Sequence, residues 1–279
     1  MEWLSSVPPL VWGLLRVVLV LVGLGALLFA CAMGVAHRVR LRWLRYHRQA
    51  GELLRRGWSS QAEELYQEAA GCLYGAFRTA ALAGVGTCRV HQGAYAEAVA
   101  ILEPLMERER RLPPSMWVEE LVLCGHLALS LTMLGDTRRA WRWLNEVYRR
   151  CDAIPTFLLM PMVATLCREG HMSVALKRME QGWPLVKYAG HACSRLRLLR
   201  AYAHSKVDPE RHAGSIFMTL YALAPFPKQE LEFCREHWPA LADFMEQGEA
   251  LVAYREAHRA RRRAEAAARA KPPAPEEDA

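Results

Sequence analysis

Cys167 and His171 stand four residues apart, and Cys124 and His126 stand two apart. A thiolate beside an imidazole is the start of a zinc site, but neither pair has a second pair at zinc-site spacing. None of the eight cysteines forms a CxxC, and most fall inside apolar helical patterns. Buried reduced cysteine behaves as a small hydrophobe, so core packing in a reducing compartment is expected rather than a disulfide framework. Glu119 and Glu120 are adjacent carboxylates of the kind acid–base catalysis uses. They fall near a helix start, where negative charge is favourable against the macrodipole without any catalytic role. The ten histidines are scattered. No phosphate loop, GxGxxG, HExxH, GxSxG or EF-hand pattern is present. The sequence therefore predicts no catalytic residue, no metal site and no cofactor.

Charge excludes one further class. The formal net charge is +7, and only five of the 36 basic residues are lysine. The positive charge concentrates at two ends, in Arg38, Arg40, Arg42, Arg45 and Arg48 and again from Arg255 to Lys271. Between them the signs mix, without the aromatic-and-basic stripe that single-strand binders use, which argues against nucleic acid.

The first arginine cluster follows "VVLVLVGLGALLFACAMGVA", Val17 to Ala36, twenty residues without a charge. At about 1.5 Å per residue a helix of this length crosses roughly 30 Å of hydrocarbon. Residues 1–16 form an N-terminal flank in which Pro8 and Pro9 break the helix and Trp3 and Trp12 suit the outer interface. The five arginines on the far side set the orientation by the positive-inside rule: N-terminus out, remainder in the cytoplasm of a bacterial inner-membrane protein. A cleaved or lipid-linked exported form, suggested by "LFAC" at Leu28–Cys31, would require those arginines to be exported. Ala26, Ala30 and Gly34 make a line of small residues compatible with a homodimer.

Behind the anchor, four segments align: "GWSSQA", "GAYAEA", "GDTRRA" and "GHMSVA". Gly57, Gly93, Gly135 and Gly170 are each followed five residues on by Ala62, Ala98, Ala140 and Ala175. Four further on stand Tyr66, Leu102, Leu144 and Met179. Seven before each glycine stand Ala50, Gly86, Ala128 and Val163, and the middle interval is stretched by a loop through Pro113 and Pro114. Glycine ends one helix in the left-handed region, the small residues let a second helix lie close, and larger ones fill the gap to the next pair. Such a unit is stable only when stacked. The pattern resembles the tetratricopeptide repeat, although the family's first-helix tryptophan and its proline after the second helix do not fall at matching positions. An all-α chain is expected: one transmembrane helix (17–36), then a juxtamembrane basic segment running into the four repeats of an α-solenoid that the resemblance implies (37–187). A divergent helical pair with capping helices (188–254) and a basic Ala/Arg-rich helix with a disordered tail (255–279) would follow.

In that family the first helices of the repeats line a groove that holds a peptide. Carried onto this chain, the groove comprises Leu54, Val90, His91, Val122, Leu129, Met133, Phe157 and Met160, with Arg55 and Arg168 at its edge. This largely apolar set suits an amphipathic partner helix, and the chain's own C-terminal helix is an alternative occupant. The expected function is a membrane-anchored scaffold or adaptor for a protein partner. An envelope-side repeat protein and a non-catalytic regulatory subunit of a membrane enzyme complex are the alternatives.

Overall fold

The structure, a computed structural model, describes residues 9–107, 117–151, 155–186 and 191–270. Pro8, Trp3, the loop through Pro113 and Pro114, and the tail beyond Ala270 lie outside the described residues. Those described form twelve α-helices and no strand. The first, α1, runs from Pro9 to Arg55 without a break. Proline suits a helix start because the missing N–H has no partner there anyway. The stretch after Arg16 is long and apolar enough to cross a membrane, and none of its apolar window is buried within the chain.

The chain divides into two compact units, residues 1–82 and 83–279. In the first, the end of α1 packs on α2 (Ser59–Cys72). Trp43 and Ala50 are buried, and the Trp43 ring lies 6.2 Å from that of Tyr66 and 6.5 Å from Phe77. Tyr66 Oη bonds His47 Nδ1 at 3.1 Å, and Tyr46 Oη donates to Glu68 at 2.7 Å. The helix that carries the apolar stretch thus ends as a packed element of a folded unit.

The second unit starts within α3 (Gly75–Gln92) and continues through α4 (Tyr95–Glu107), α5 (Trp117–Leu134) and α6 (Thr137–Tyr148). A 3-10 turn at Thr156–Leu158 leads into α7 (Leu159–Arg168), followed by α8 (Met172–Val186), α9 (His191–Val207) and α10 (Pro209–Leu223). Within this unit α5 packs on α4, α6 and α7, α7 on α8 and α9, and α9 on α8 and α10.

One local geometry recurs four times. Gly57, Gly93, Gly135 and Gly170 have φ of 81°, 81°, 99° and 82°, a region that glycine enters without a Cβ clash. After each, the next N–H reaches back to a carbonyl five residues earlier: Trp58 to Leu53, Ala94 to Arg89, Asp136 to Leu131 and His171 to Leu166, at 2.8–2.9 Å. The glycine N–H bonds the carbonyl three residues back in every case. Both bonds together are the Schellman arrangement, which satisfies the last carbonyls of a helix and turns the chain. The alanines five residues on are all 0 % exposed, as are Leu102 and Leu144. Gly86 shows why small residues stand opposite: a Cβ there would lie 2.5 Å from Leu102 Cδ2.

At the C-terminal end the capping region is two helices, α11 (Lys228–His237) and α12 (Pro239–Ala270). Pro239 disfavours helical backbone at Trp238, which sits at φ −144°, ψ 68° and breaks the run. In place of end-capping alone, α11 packs on α12 and touches α5, and α12 also packs on α10.

Candidate functional site

Three side chains expected in an open groove are core residues. Val90, Leu129 and Met133 are 3 %, 3 % and 8 % exposed. Leu129 and Met133 of α5 and Met160 and Ala164 of α7 face Glu230 and Cys234 of α11 and Leu241 and Met245 of α12 across a cavity of about 30 Å³. That space holds a water at most. The inner face of α5 and α7 is filled by the chain's own C-terminal helices.

Several contacts fix this cover. Arg168, expected at the groove edge, donates from Nη1 to the Met133 carbonyl at 3.0 Å and from Nη2 to the His237 carbonyl at the end of α11. Its guanidinium stands 5.1 Å from the Trp238 ring. The Trp238 ring also meets Tyr202 edge-on at 6.1 Å, and the Trp238 backbone N–H donates to the Cys234 carbonyl at 2.7 Å. Tyr95 packs on Phe233 at 5.0 Å, and Arg195 pairs with Glu230 at 3.6 Å. Tyr95, Arg195, Phe233 and Trp238 were not singled out in the sequence. Of these only Trp238 carried a local signal, an aromatic beside the helix-breaking Pro239.

The remaining positions are more open. On α5, Val122, His126, Leu129 and Met133 share one stripe at helical spacing. Leu129 and Met133 are covered, whereas Val122 and His126 are half-buried. Phe157 is half-buried and would lie 3.6 Å from a Cβ on Gly125. His91 is exposed, its ring edge-on to His126 at 5.8 Å. In the first unit, Leu54 is half-buried and Arg55 is exposed and paired with Glu52. Arg38, Arg40, Arg42, Arg45 and Arg48 are all exposed along α1.

The buried thiols and the acidic side chains of this region have structural surroundings. Burial pushes the thiols of Cys124 and Cys167 up to about 12 and that of Cys234 up to about 11, so none is a thiolate near neutral pH. Glu120 bonds Arg150 at 2.6 Å, and that arginine also holds Glu146. Among the described residues no group of three or more His, Cys, Asp or Glu is arranged to hold a metal ion.

Thr132 of α5 and Thr165 of α7 are both 0 % exposed, with hydroxyls 2.7 Å apart. The Thr165 hydroxyl donates to the Pro161 carbonyl at 2.7 Å, so Thr132 donates to Thr165. Thr165→Val strips the Thr132 hydroxyl of its acceptor inside the core and should cost about 1–3 kcal/mol. Thr132→Val leaves the Thr165–Pro161 bond in place and should cost less. Equal losses in urea denaturation would show that the pair has another orientation.

Burial, with a smaller contribution from His91, holds the His126 imidazole down to about 3. Thr87 Oγ1 donates to the Ala83 carbonyl, so His126 Nδ1 donates to Thr87 at 3.3 Å as a neutral ring. Above about pH 6.5, the ordinary histidine value, neither the folded nor the unfolded ring is charged and the full contribution is present. Below it the unfolded chain takes up the proton first, and stability falls as pH drops toward 3, by up to about 1.4 kcal/mol per pH unit. His126→Gln should flatten that slope between pH 6.5 and 4. An unchanged slope would place the titration elsewhere.

No protein-family model, curated protein or solved structure matches the chain.

Proposed function

We propose that the protein is a non-catalytic adaptor, a TPR-like α-solenoid held at the cytoplasmic face of a bacterial inner membrane by α1. The observation that carries this reading is the fourfold glycine turn, with the same two backbone bonds and the same buried alanine at each recurrence. Stacked pairs of this kind serve to present extended surfaces. The continuity of α1 supports a permanent anchor rather than a cleaved signal. Residues downstream of the apolar stretch, Trp43 and Ala50, are buried against α2, so no loose segment separates the two. The exposed arginines from Arg38 to Arg48 favour the cytoplasmic side.

The partner is an amphipathic helix or peptide recognised at the half-open end of the inner face, around His91, Val122, His126 and Phe157. The covered end takes an amphipathic helix already, α11, so the same face suits one from a partner. Val122→Arg should abolish partner capture by crosslinking in mild detergent while leaving the thermal melt unchanged. Undiminished capture would remove this end from the interface. A phosphatase fused after Ala270 should be inactive and a fluorescent reporter there bright. An active phosphatase would instead favour the exported, envelope-side reading.

A further inference from the structure

A cleft of about 410 Å³ opens between α8, α9 and α10. Arg197, Arg200 and His204 line it from α9, and His212, Ser215 and Thr219 line it from α10. Each set follows the spacing i, i+3, i+7, so each is one stripe of its helix, and the stripes converge where the turn at Asp208 joins them. There the His204 and His212 rings stand 3.8 Å apart. Trp183 of α8 forms a third wall, with the Arg200 guanidinium 5.4 Å from its ring. Stacking on a ring occupies the guanidinium face and leaves its N–H edge free to donate.

The cleft arginines differ in their pairing from those elsewhere in the chain. Arg89, Arg139, Arg150 and Arg235 are each paired with a carboxylate, at Glu97, Glu103, Glu120 and Glu246. Arg197 and Arg200 form no ion pair among the described residues, and no carboxylate belongs to the lining. The acids that act on the His204 imidazole are Glu180 and Asp208, and Asp208 already accepts the Arg211 N–H at the start of α10. Two guanidiniums match a dianion better than a single carboxylate, and arginine meets phosphate oxygens through paired N–H bonds. The volume exceeds that of a phosphate several-fold, and Met218 and Leu223 supply an apolar side for an organic remainder.

We propose that this cleft binds a ligand carrying a phosphate ester, from a soluble metabolite or from a lipid headgroup. The two guanidiniums hold the phosphate oxygens, and the imidazoles of His204 and His212 and the Thr219 hydroxyl line the site as further hydrogen-bonding groups. The site does not depend on the adaptor reading.

The test is calorimetric titration of the full-length chain in detergent micelles with glycerol 3-phosphate and, separately, with short-chain phosphatidic acid. Saturable binding of both supports the site with phosphate itself recognised, and saturable binding of the lipid alone supports it with a headgroup as source. Arg197→Ala/Arg200→Ala should weaken the bound probe at least tenfold, while Arg259→Ala/Arg262→Ala on exposed α12 should not change it. Because Arg200 also packs on Trp183, Arg197→Glu serves as a second variant at an exposed position and should weaken binding similarly. Saturable binding of neither probe, or equal binding by the parent and both cleft variants, overturns the proposal. Equal loss in the α12 control also overturns it, by exposing non-specific charge attraction.

Discussion

Replacing Trp238 by alanine should cost about 3–5 kcal/mol, among the largest losses available to a single substitution in this fold. The indole is only 4 % exposed and stands where four helices meet. It joins α11 to α12, meets Tyr202 of α9 edge-on, and carries the Arg168 guanidinium on its ring. Truncation leaves a cavity that α11 and α12 fill only by moving off α5 and α7. It also strands a partly desolvated arginine whose remaining partners are two backbone carbonyls. The expected signature in urea is a lowered midpoint together with increased dye binding, as Leu129, Met133 and Leu198 become accessible. A loss below about 1 kcal/mol would mean that the C-terminal pair is an appendage rather than part of the core.

Gly86→Ala should destabilise by about 1–3 kcal/mol, although alanine is the better helix former. Helix propensity alone favours the substitution by up to about 1 kcal/mol. Packing opposes it: the new Cβ would stand 2.5 Å from Leu102 Cδ2 and 2.6 Å from its Cγ. Leu102 is 0 % exposed, so its side chain has nowhere to rotate without displacing Ile101, itself 3.3 Å from the same point. Gly214→Ala provides the control, because no atom lies within 4 Å of a Cβ at that helical position. There the propensity gain stands alone, and the melting temperature should rise. The opposite signs of two glycine-to-alanine changes in one chain separate close helix approach from intrinsic preference.

Much of the architecture is written in residue types that have few substitutes. A left-handed turn closing a helix strongly favours glycine, so Gly57, Gly93, Gly135 and Gly170 mark four turns in the sequence itself. Ala62, Ala98, Ala140 and Ala175 were legible because a close helix crossing leaves no room for more than a methyl group. The apolar run of α1 was legible from length and composition alone.

The occupant of the inner face was not legible. Leu129, Met133 and Met160 read the same whether they meet a partner's helix or the chain's own, because an apolar stripe does not record what covers it. The distinction lies in long-range contacts such as Arg168 to the His237 carbonyl, 69 residues away. The break at Trp238–Pro239 is written in the proline, which disfavours helical backbone at the residue before it. The basic cleft was legible only in halves. "SRLRLLRAYAHSK" and "HAGSIFMTLYALA" each show one stripe, and their meeting depends on the turn at Asp208.

α11 and α12 cover the face of α5 and α7 that carries Leu129, Met133 and Met160. Photo-methionine incorporated throughout the full-length chain, followed by irradiation in mild detergent and peptide mapping, tests this cover directly. Met133 and Met160 should crosslink to residues 228–245 of the same chain, since both line the cavity beneath Cys234, Leu241 and Met245. Crosslinks from Met133 and Met160 to a different polypeptide, with none to residues 228–245, would contradict the account and return that face to a partner.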